Sequence, residues 1–393
     1  RGAEQLAWEV ALHNGGTVVW VDTDRGAEQR LGGLRAREWM SWIPGVPEAC
    51  GKIALACALE AREANFWPRS WQVPQVSADV IAAEAFGKGV GTGTLIVKPD
   101  QGSQGTGIVL AQTARDLQRA LETLPPEGAI VQEYVDCPML LDGYKWDARI
   151  YVLMLPTQEG GHACFICREG LVRVCVEQYS RPDASNLKQS MVHLTNYSLS
   201  KFSHKYEHGG DDPNDASTGS KRTLRAVLER LEGSVPGFSM ASAWQALGEL
   251  SRVTVDAISE QLGAESPHAH CFHLLGLDVL FDEAGKPWLL ESNHRPSLLI
   301  DEVHPLPGGP HTRAEINKLF AEEKRGASAN ANSKWGRPCR CSLHPSVHEH
   351  QLCAADVACK LPAVQGALQI VSKARSGDGN VEEWADGTLY QLF

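Results

Sequence analysis

"LLGLDVLFDEAGKPWLLESNHRPSL", residues 274–298, decides the fold. Two apolar runs flank the turn-forming residues Asp282, Glu283, Ala284 and Gly285, so the stretch reads as a β-hairpin. Side chains alternate faces along a strand, which puts Glu291 and Asn293 on one side of the second arm. A turn centred between Ala284 and Gly285 pairs Asp278 with Glu291. Two carboxylates opposed across a ladder repel each other, and the pair therefore requires something positive between them. With the amide oxygen of Asn293 they make a hard, all-oxygen set suited to Mg²⁺, which takes its remaining ligands from water and phosphate. The expectation is a nucleotide–Mg²⁺ site at Asp278, Glu291 and Asn293.

A chain of 393 residues, 43% hydrophobic and 22% charged, can bury a sizeable core and divide into two or three lobes. No apolar run reaches the roughly 20 residues that cross a bilayer, so no membrane partner is expected. The opening "RGAEQLAWEV" has neither a Met nor a signal pattern, which reads as a soluble, cytoplasmic piece of a longer protein. Most of the 11 cysteines stand singly in apolar stretches such as "ACFIC" and "VRVCVEQ", the pattern of reduced thiols. A net charge of −11 argues against a nucleic-acid partner, because phosphate contacts need a basic surface.

Working outward, "GGTVVWVDTD" reads as a strand and "GKIALACALEARE" as a helix, together a small α/β lobe. "FWPRSWQVPQV" is broken twice by proline and is expected to form no regular element, which puts a domain junction near residue 74. A second unit runs through the strands "TLIVK" and "GIVLAQ", the helix "TARDLQRALETL" and the strand "AIVQEYV". A third carries the strands "DARIYVLML", "HACFIC" and "LVRVCVEQY", helical sequence near 222–263, and the hairpin. Residues 204–220 and 322–338, rich in Gly, Ser, Asn and Asp, are expected to be mobile loops.

"LIVKPDQGSQGTGIVL" joins two strands through Gly102, Gly105 and Gly107, with Lys98 ending the first strand. It is neither a Walker A loop nor the dinucleotide fingerprint, since no Gly-Lys-Ser/Thr follows and the loop enters a strand. Bare glycines in such a flap offer backbone N–H groups to phosphate, and Lys98 adds a charge. In "DGYKWDARIYVLM", Lys145, Asp147 and Arg149 share one strand face and Trp146, Ala148 and Ile150 the other. Such a face is either a solvated sheet surface or a cleft whose cations hold an anionic reaction centre, with Arg173 adding a further cation from the next strand. "HLTNYSLSK" sets His193, Thr195 and Asn196 in a short polar run.

Together these stretches resemble the tubulin tyrosine ligase-like family of ATP-grasp ligases. The matching segments include "WIPG", "WPRSWQVP", "IVKPDQGSQGTGI", "VQEYVDCPMLLDGYKWDARIYVLM", "HLTNYSLSK", "GSKRTL" and the hairpin, in family order from about residue 17 to 298. The resemblance implies an α/β (α+β) ATP-grasp fold with lobes at 1–73, 74–135 and 136–393, and nucleotide between the central and C-terminal lobes. It implies that ATP phosphorylates a γ-carboxyl on a tubulin tail and that the amine of a free amino acid attacks the acyl phosphate. Lys98 and Lys145 match nucleotide-phosphate lysines, Gln132 and Tyr134 the strand that meets adenine, and Asp278, Glu291 and Asn293 the Mg²⁺ ligands. Arg149 matches a phosphate-binding arginine, and Arg173, His193, Thr195 and Asn196 match positions around the acceptor and the amino acid. Asp147 is expected among the residues of the nucleotide side.

Ser292 and Arg295 depart from the family pattern, whereas His294 and "GSKRTL" resemble the polyglutamylating members and point to glutamate as the added residue. A glycine or tyrosine ligase, and a tubulin-binding pseudoenzyme, are the alternatives. The place of action implied is the microtubule cytoskeleton, with cilia or flagella included. Lys52, Arg173, Lys201, Lys221 and Arg295 are candidates for a basic track that would receive acidic tails despite the acidic whole. Lastly, "CRCSLHPSVHEHQLC" offers Cys339, Cys341, His344, His348, His350 and Cys353 to a structural zinc ion, though it lacks the paired C-x₂-C spacing.

Overall fold

The computed structural model describes residues 7–11, 17–87, 93–100, 102, 105–124, 128–157, 160–195, 197–201, 203–262, 270–305, 348–376, 380–384 and 390–393. The chain is mixed α/β, built on three sheets and a further strand pair. In the first sheet β1 (Ala7–Ala11) pairs antiparallel with β2 (Thr17–Val21), which pairs parallel with β3 (Glu38–Met40). The helix Lys52–Ala61 follows, burying Leu55, Ala56 and Leu59.

The second sheet has the order β4 (Ser70–Val73), β7 (Ala129–Glu133), β5 (Leu95–Pro99), β6 (Val109–Ala111), all antiparallel. Its back is covered by the helices Ala78–Phe86 and Ala114–Glu122, started by caps in which Ser77 and Thr113 accept backbone N–H groups. β4 corrects the reading of residues 66–76. Pro68 and Pro74 bracket a four-residue strand without interrupting it, because neither occupies a position whose N–H the ladder needs. That strand belongs to the central sheet, so a boundary after residue 73 would cut through the sheet's edge.

The third sheet comprises β8 (Leu140–Leu141), β9 (Tyr144–Pro156), β10 (His162–Gln178), β11 (Lys221–Thr223), β12 (His273–Phe281), β13 (Pro287–Asn293) and, beyond the helices, β16 (Tyr390–Leu392). Its main path is β11-β10-β9-β12-β13. "HACFIC" and "LVRVCVEQY" form one continuous strand with an irregularity between Ile166 and Gly170. Of the helical sequence expected at 222–263, Lys221–Thr223 is strand β11, and two helices follow at Leu224–Ser234 and Met240–Gln261. β14 (Asp301–Pro305) and β15 (His348–Leu352) form a separate antiparallel pair.

Two cores hold the large sheet. Ile150, Val152, Leu275 and Leu277 face the helices and the N-terminal residues Val19, Ile43, Leu55 and Leu59, so the first lobe and the third sheet share one hydrophobic interior. On the other face Tyr151, Phe165 and Phe272 are fully buried beneath the helix Ala354–Ser376, and each phenylalanine contributes roughly 1.5–3 kcal/mol by burial. The first lobe is also joined by backbone: Met40 donates to His270 O and accepts from Phe272 N–H, both at 2.9 Å. Residues 204–220, read from composition as a mobile loop, are pinned. Glu207 O accepts from Ser220 N–H at 2.8 Å, and Arg222 donates to Gly219 O and Ala216 O. Residues 322–338 lie outside the described residues.

Candidate active site

The hairpin opposes Asp278 to Glu291 and Gly276 to Asn293. The turn spans Asp282–Lys286 and centres on Ala284, with Gly285 at φ 80° and Asp282 Oδ1 accepting the N–H groups of Ala284 and Lys286. Phe281 then pairs with Pro287 and Val279 with Leu289, a register that would oppose Leu290 to Asp278 and turn Glu291 to the buried face. A bulge at Leu290 restores the phase. Two neighbours hold it there: Phe66 O accepts Leu289 N–H at 2.9 Å, and Lys98 Nζ donates to Leu290 O at 3.2 Å.

A row of charge crosses the sheet. Register pairs Arg173 with Asp147 and Arg149 with Asp278. Arg149 grips Asp278 with two bonds of 2.7 Å, and Arg173 grips Asp147 at 2.7 and 2.6 Å while reaching Asp278 at 2.8 Å. Thr195 donates to Asp147 as well. Burial alone would raise the Asp278 carboxyl, but Arg149 and Arg173 outweigh it and hold it well below the ordinary range. Glu291 goes the other way, pushed up by burial and by Asp278. Asn293 spends its amide nitrogen on Gly276 O at 3.4 Å and on Glu291 at 3.2 Å, which leaves its oxygen as the ligand atom.

Opposite this row stands the central sheet. Lys98 is buried, bonded to Gln132 Oε1 at 2.6 Å, and its pKa is pushed down to about 8 by burial, against the pull of Glu291. Lys145 belongs to the large sheet, on β9 beside Asp147, and reaches across to the residue after β7: also buried, it donates to Tyr134 Oη at 2.8 Å and lies 4.3 Å from the ring centroid, and burial takes its pKa to about 8. Gln132 is oriented by Ser70 at 2.9 Å. In the flap Gly105 and Gly107 have φ of 76°, and a Cβ on Gly107 would meet Pro99 at 2.9 Å, so both places suit glycine. Gly102 O receives Lys52 Nζ at 2.8 Å. Lys98 and a glycine turn thus stand across from two arginines, a carboxylate pair and Lys145, an arrangement that can hold phosphate and a dication between them.

Several expected residues sit elsewhere than their sequence neighbours suggested. His193 is buried behind Tyr134, near Tyr134 Oη at 3.3 Å and Asn186 at 3.2 Å, and shares Tyr134 Oη with Lys145. Asp147 touches Arg173 and Thr195, and so fixes the Arg173 guanidinium. Asn196 lies outside the described residues. The cations expected to form a basic track are engaged in contacts of their own. Lys52 holds the flap, Arg173 and Lys221 are buried in ion pairs, and Arg295 pairs with Asp24 at 3.0 Å, leaving half-buried Lys201 near the Tyr197 ring. Of the tail set, Cys339, Cys341 and His344 lie outside the described residues, while His350 is paired with Asp301 and Cys353 is buried.

The sequence reading missed a second network. Lys221 bridges Asp356 at 2.6 Å and Glu302 at 3.0 Å, and Lys360 joins Asp356 at 2.5 Å, tying the helix Ala354–Ser376 to the edge of the large sheet. The one sequence signal was Asp356 and Lys360 four apart on a helix, which alone marks any solvated face.

The family model of the tubulin-tyrosine ligase family matches residues 53–305, from the helix under the flap to the end of β14. The chain belongs to the tubulin-tyrosine ligase family. Its fold is accordingly ATP-grasp-like, and ATP use comes with this ligase family. Similar proteins include mouse tubulin polyglutamylase TTLL11, 37% identical over 302 residues that cover 72% of this chain and 40% of the relative. Tubulin polyglutamylase ttll6 of Danio rerio is 34% identical over 306 residues, 72% of this chain and 36% of the relative. Tubulin polyglutamylase ttll-11 of Caenorhabditis elegans is 34% identical over 284 residues, 68% and 38%. The chain therefore spans about two fifths of the length of these members of the tubulin-tyrosine ligase family.

Proposed function

We propose that this chain is the catalytic region of an ATP-dependent ligase that adds an amino acid, glutamate, to carboxylates on tubulin tails through an acyl phosphate. The row Arg173, Asp147, Arg149, Asp278, Glu291 carries the reading: two fixed guanidinium groups abut an opposed carboxylate pair. The relatives, tubulin polyglutamylases by name, support tubulin as acceptor and glutamate as the added residue. As part of the same reading we divide the chain into lobes at 1–69, 70–135 and 136–393, with nucleotide between the last two.

Asp278, Glu291 and Asn293 fit Mg²⁺. A buried and a half-buried carboxylate in hydrogen-bonding contact, with Glu291 raised by burial and by Asp278, form a donor set that a hard dication would satisfy better than a shared proton does. When bound, Mg²⁺-ATP supplies the phosphoryl group that activates the acceptor carboxylate. Lys98 and Lys145 would hold phosphate oxygens, Gln132 and Tyr134 would line the adenine, and Gly102, Gly105 and Gly107 would close over the phosphates and exclude water that hydrolyses an acyl phosphate. Arg149 and Arg173 are placed to stabilise the negative charge that gathers when the amine attacks, with Asp147 and Thr195 fixing Arg173. His193 acts through Tyr134 and Lys145.

Incubation with microtubules, Mg-ATP and separately Glu, Gly and Tyr, reading mass shifts on tubulin tails, tests this. Addition of Glu that Glu291→Gln abolishes is the expected result. Gly or Tyr would keep the chemistry and change the specificity, and no addition despite ATP binding would point to a tubulin-binding protein without turnover or to another acceptor protein.

A further inference from the structure

Beside the Lys221 network, and apart from the Mg²⁺ candidate, three metal-ligating side chains converge. Glu302 and His304 are two apart on β14 and so share a face. His208, from the loop before β11, lies over them. Its ring stacks on His304 with centroids 3.7 Å apart at 21°, and its Nδ1 is 3.1 Å from Glu302 Oε2. Their ligand atoms all lie within 4.8 Å of one another.

We propose that His208, Glu302 and His304 form a binding site for one transition-metal ion of the Zn²⁺ class, which fastens the loop 203–220 onto β14. Two imidazoles and a carboxylate are borderline ligands, unlike the all-oxygen set of Asp278, Glu291 and Asn293. Bonds of about 2.0–2.1 Å put two ligand atoms of a tetrahedral ion roughly 3.3–3.5 Å apart. His208 and Glu302, at 3.1 Å, stand just inside that spacing, and His304, within 4.8 Å, joins them by turning its ring out of the stack so that its in-plane nitrogen lone pair meets the ion. Glu302 is oriented from behind, its Oε1 accepting Tyr206 Oη–H at 2.6 Å with Lys221 at 3.0 Å, the kind of outer support that fixes a ligating carboxylate. Lys221 is shared with Asp356 at 2.6 Å, so Glu302 is not consumed by it. A second trio, Glu302, Cys353 and Asp356, has comparable spacing, but the Lys221 ammonium already bridges its two carboxylates and takes the cation's place.

The test uses the metal-stripped, tag-free chain titrated with Co²⁺ and then Zn²⁺, beside His208→Phe and His304→Phe, which keep an aromatic ring in the stack and lose the nitrogen, and Glu291→Gln. The expected result is one Co²⁺ with visible d–d absorption, displaced by Zn²⁺, and a Zn²⁺-dependent rise in Tm. Each Phe variant loses at least tenfold in affinity and Glu291→Gln none. A Kd weaker than about 1 µM, short of what structural zinc sites reach, would overturn the proposal. So would binding unchanged in both Phe variants, or a thiolate charge-transfer band, which would move the ion to the cysteines of the tail.

Discussion

Lys98, on the central sheet, donates a hydrogen bond to the carbonyl of Leu290, the bulged residue that turns Glu291 toward Asp278. One ammonium thus couples the phosphate side of the cleft to the metal side, through the backbone of the strand that carries both Glu291 and Asn293.

Lys98→Met should therefore weaken both sides. Loss of a buried charged donor with two acceptors is expected to reduce nucleotide affinity by about 10- to 100-fold, some 1.5–3 kcal/mol. Calorimetric titration with a non-hydrolysable ATP analogue, at fixed and at varied Mg²⁺, measures it. Affinity within twofold of the parent chain would deny Lys98 the role.

Asp278 and Glu291 should respond oppositely to neutralisation. Asp278→Asn strips Arg149 and Arg173 of a shared counter-ion inside the sheet and should cost about 3–5 kcal/mol. Glu291→Gln removes a carboxyl that burial and Asp278 both disfavour ionising, and should leave stability equal or higher while ending ligation. Thermal unfolding of the two variants decides; equal losses would refute the account of which carboxylate carries the charge.

Nucleotide binding should weaken in alkali. Burial takes Lys98 and Lys145 down to about 8, and phosphate oxygens favour the protonated amines, so binding takes up protons as those groups begin to lose them. Affinity for ATP should be flat near pH 7 and fall between about pH 8 and 9.5, with proton uptake that grows over the same range. An affinity independent of pH up to 9.5 would place the lysines away from the phosphates.

His273 should make the fold acid-sensitive. Its Nδ1 accepts Ile43 N–H at 3.2 Å, so Nε2 carries the proton given to His294 O at 2.6 Å, and burial pushes its pKa down to about 4. The unfolded chain takes up a proton near pH 6.5 and the folded chain only near 4, so stability present above pH 6.5 is lost as pH falls toward 4, by about 3 kcal/mol. Denaturant unfolding at pH 7 and pH 4.5 should give a smaller difference for His273→Gln than for the parent chain. An equal difference would assign the acid sensitivity to other groups.

Legibility followed the range of the interaction. Strand alternation and turn residues exposed the hairpin and the charged face of β9, since both are local patterns of period two. The proline-flanked strand β4 was hidden because its partner, β7, lies some 60 residues on. The loop 204–220 looked mobile from composition, yet its anchor Glu302 comes from some 90 residues on. Lys52, Arg173 and Lys221 were read as open cations because a sequence does not display the carbonyls and carboxylates that meet them in space.

The sequence by itself determined the residue types of the site and their faces: Lys145, Asp147 and Arg149 together, Glu291 with Asn293, and the glycines of the flap. It also paired Asp278 with Glu291, though by a regular ladder on a turn half a residue off. Only the tertiary structure decided that the pairing comes from a bulge at Leu290, held from outside by Phe66 and Lys98, and that each arginine already has a carboxylate. Register within a hairpin is encoded nearby by its turn, whereas a bulge and an ion pair depend on what the rest of the chain brings against the strand.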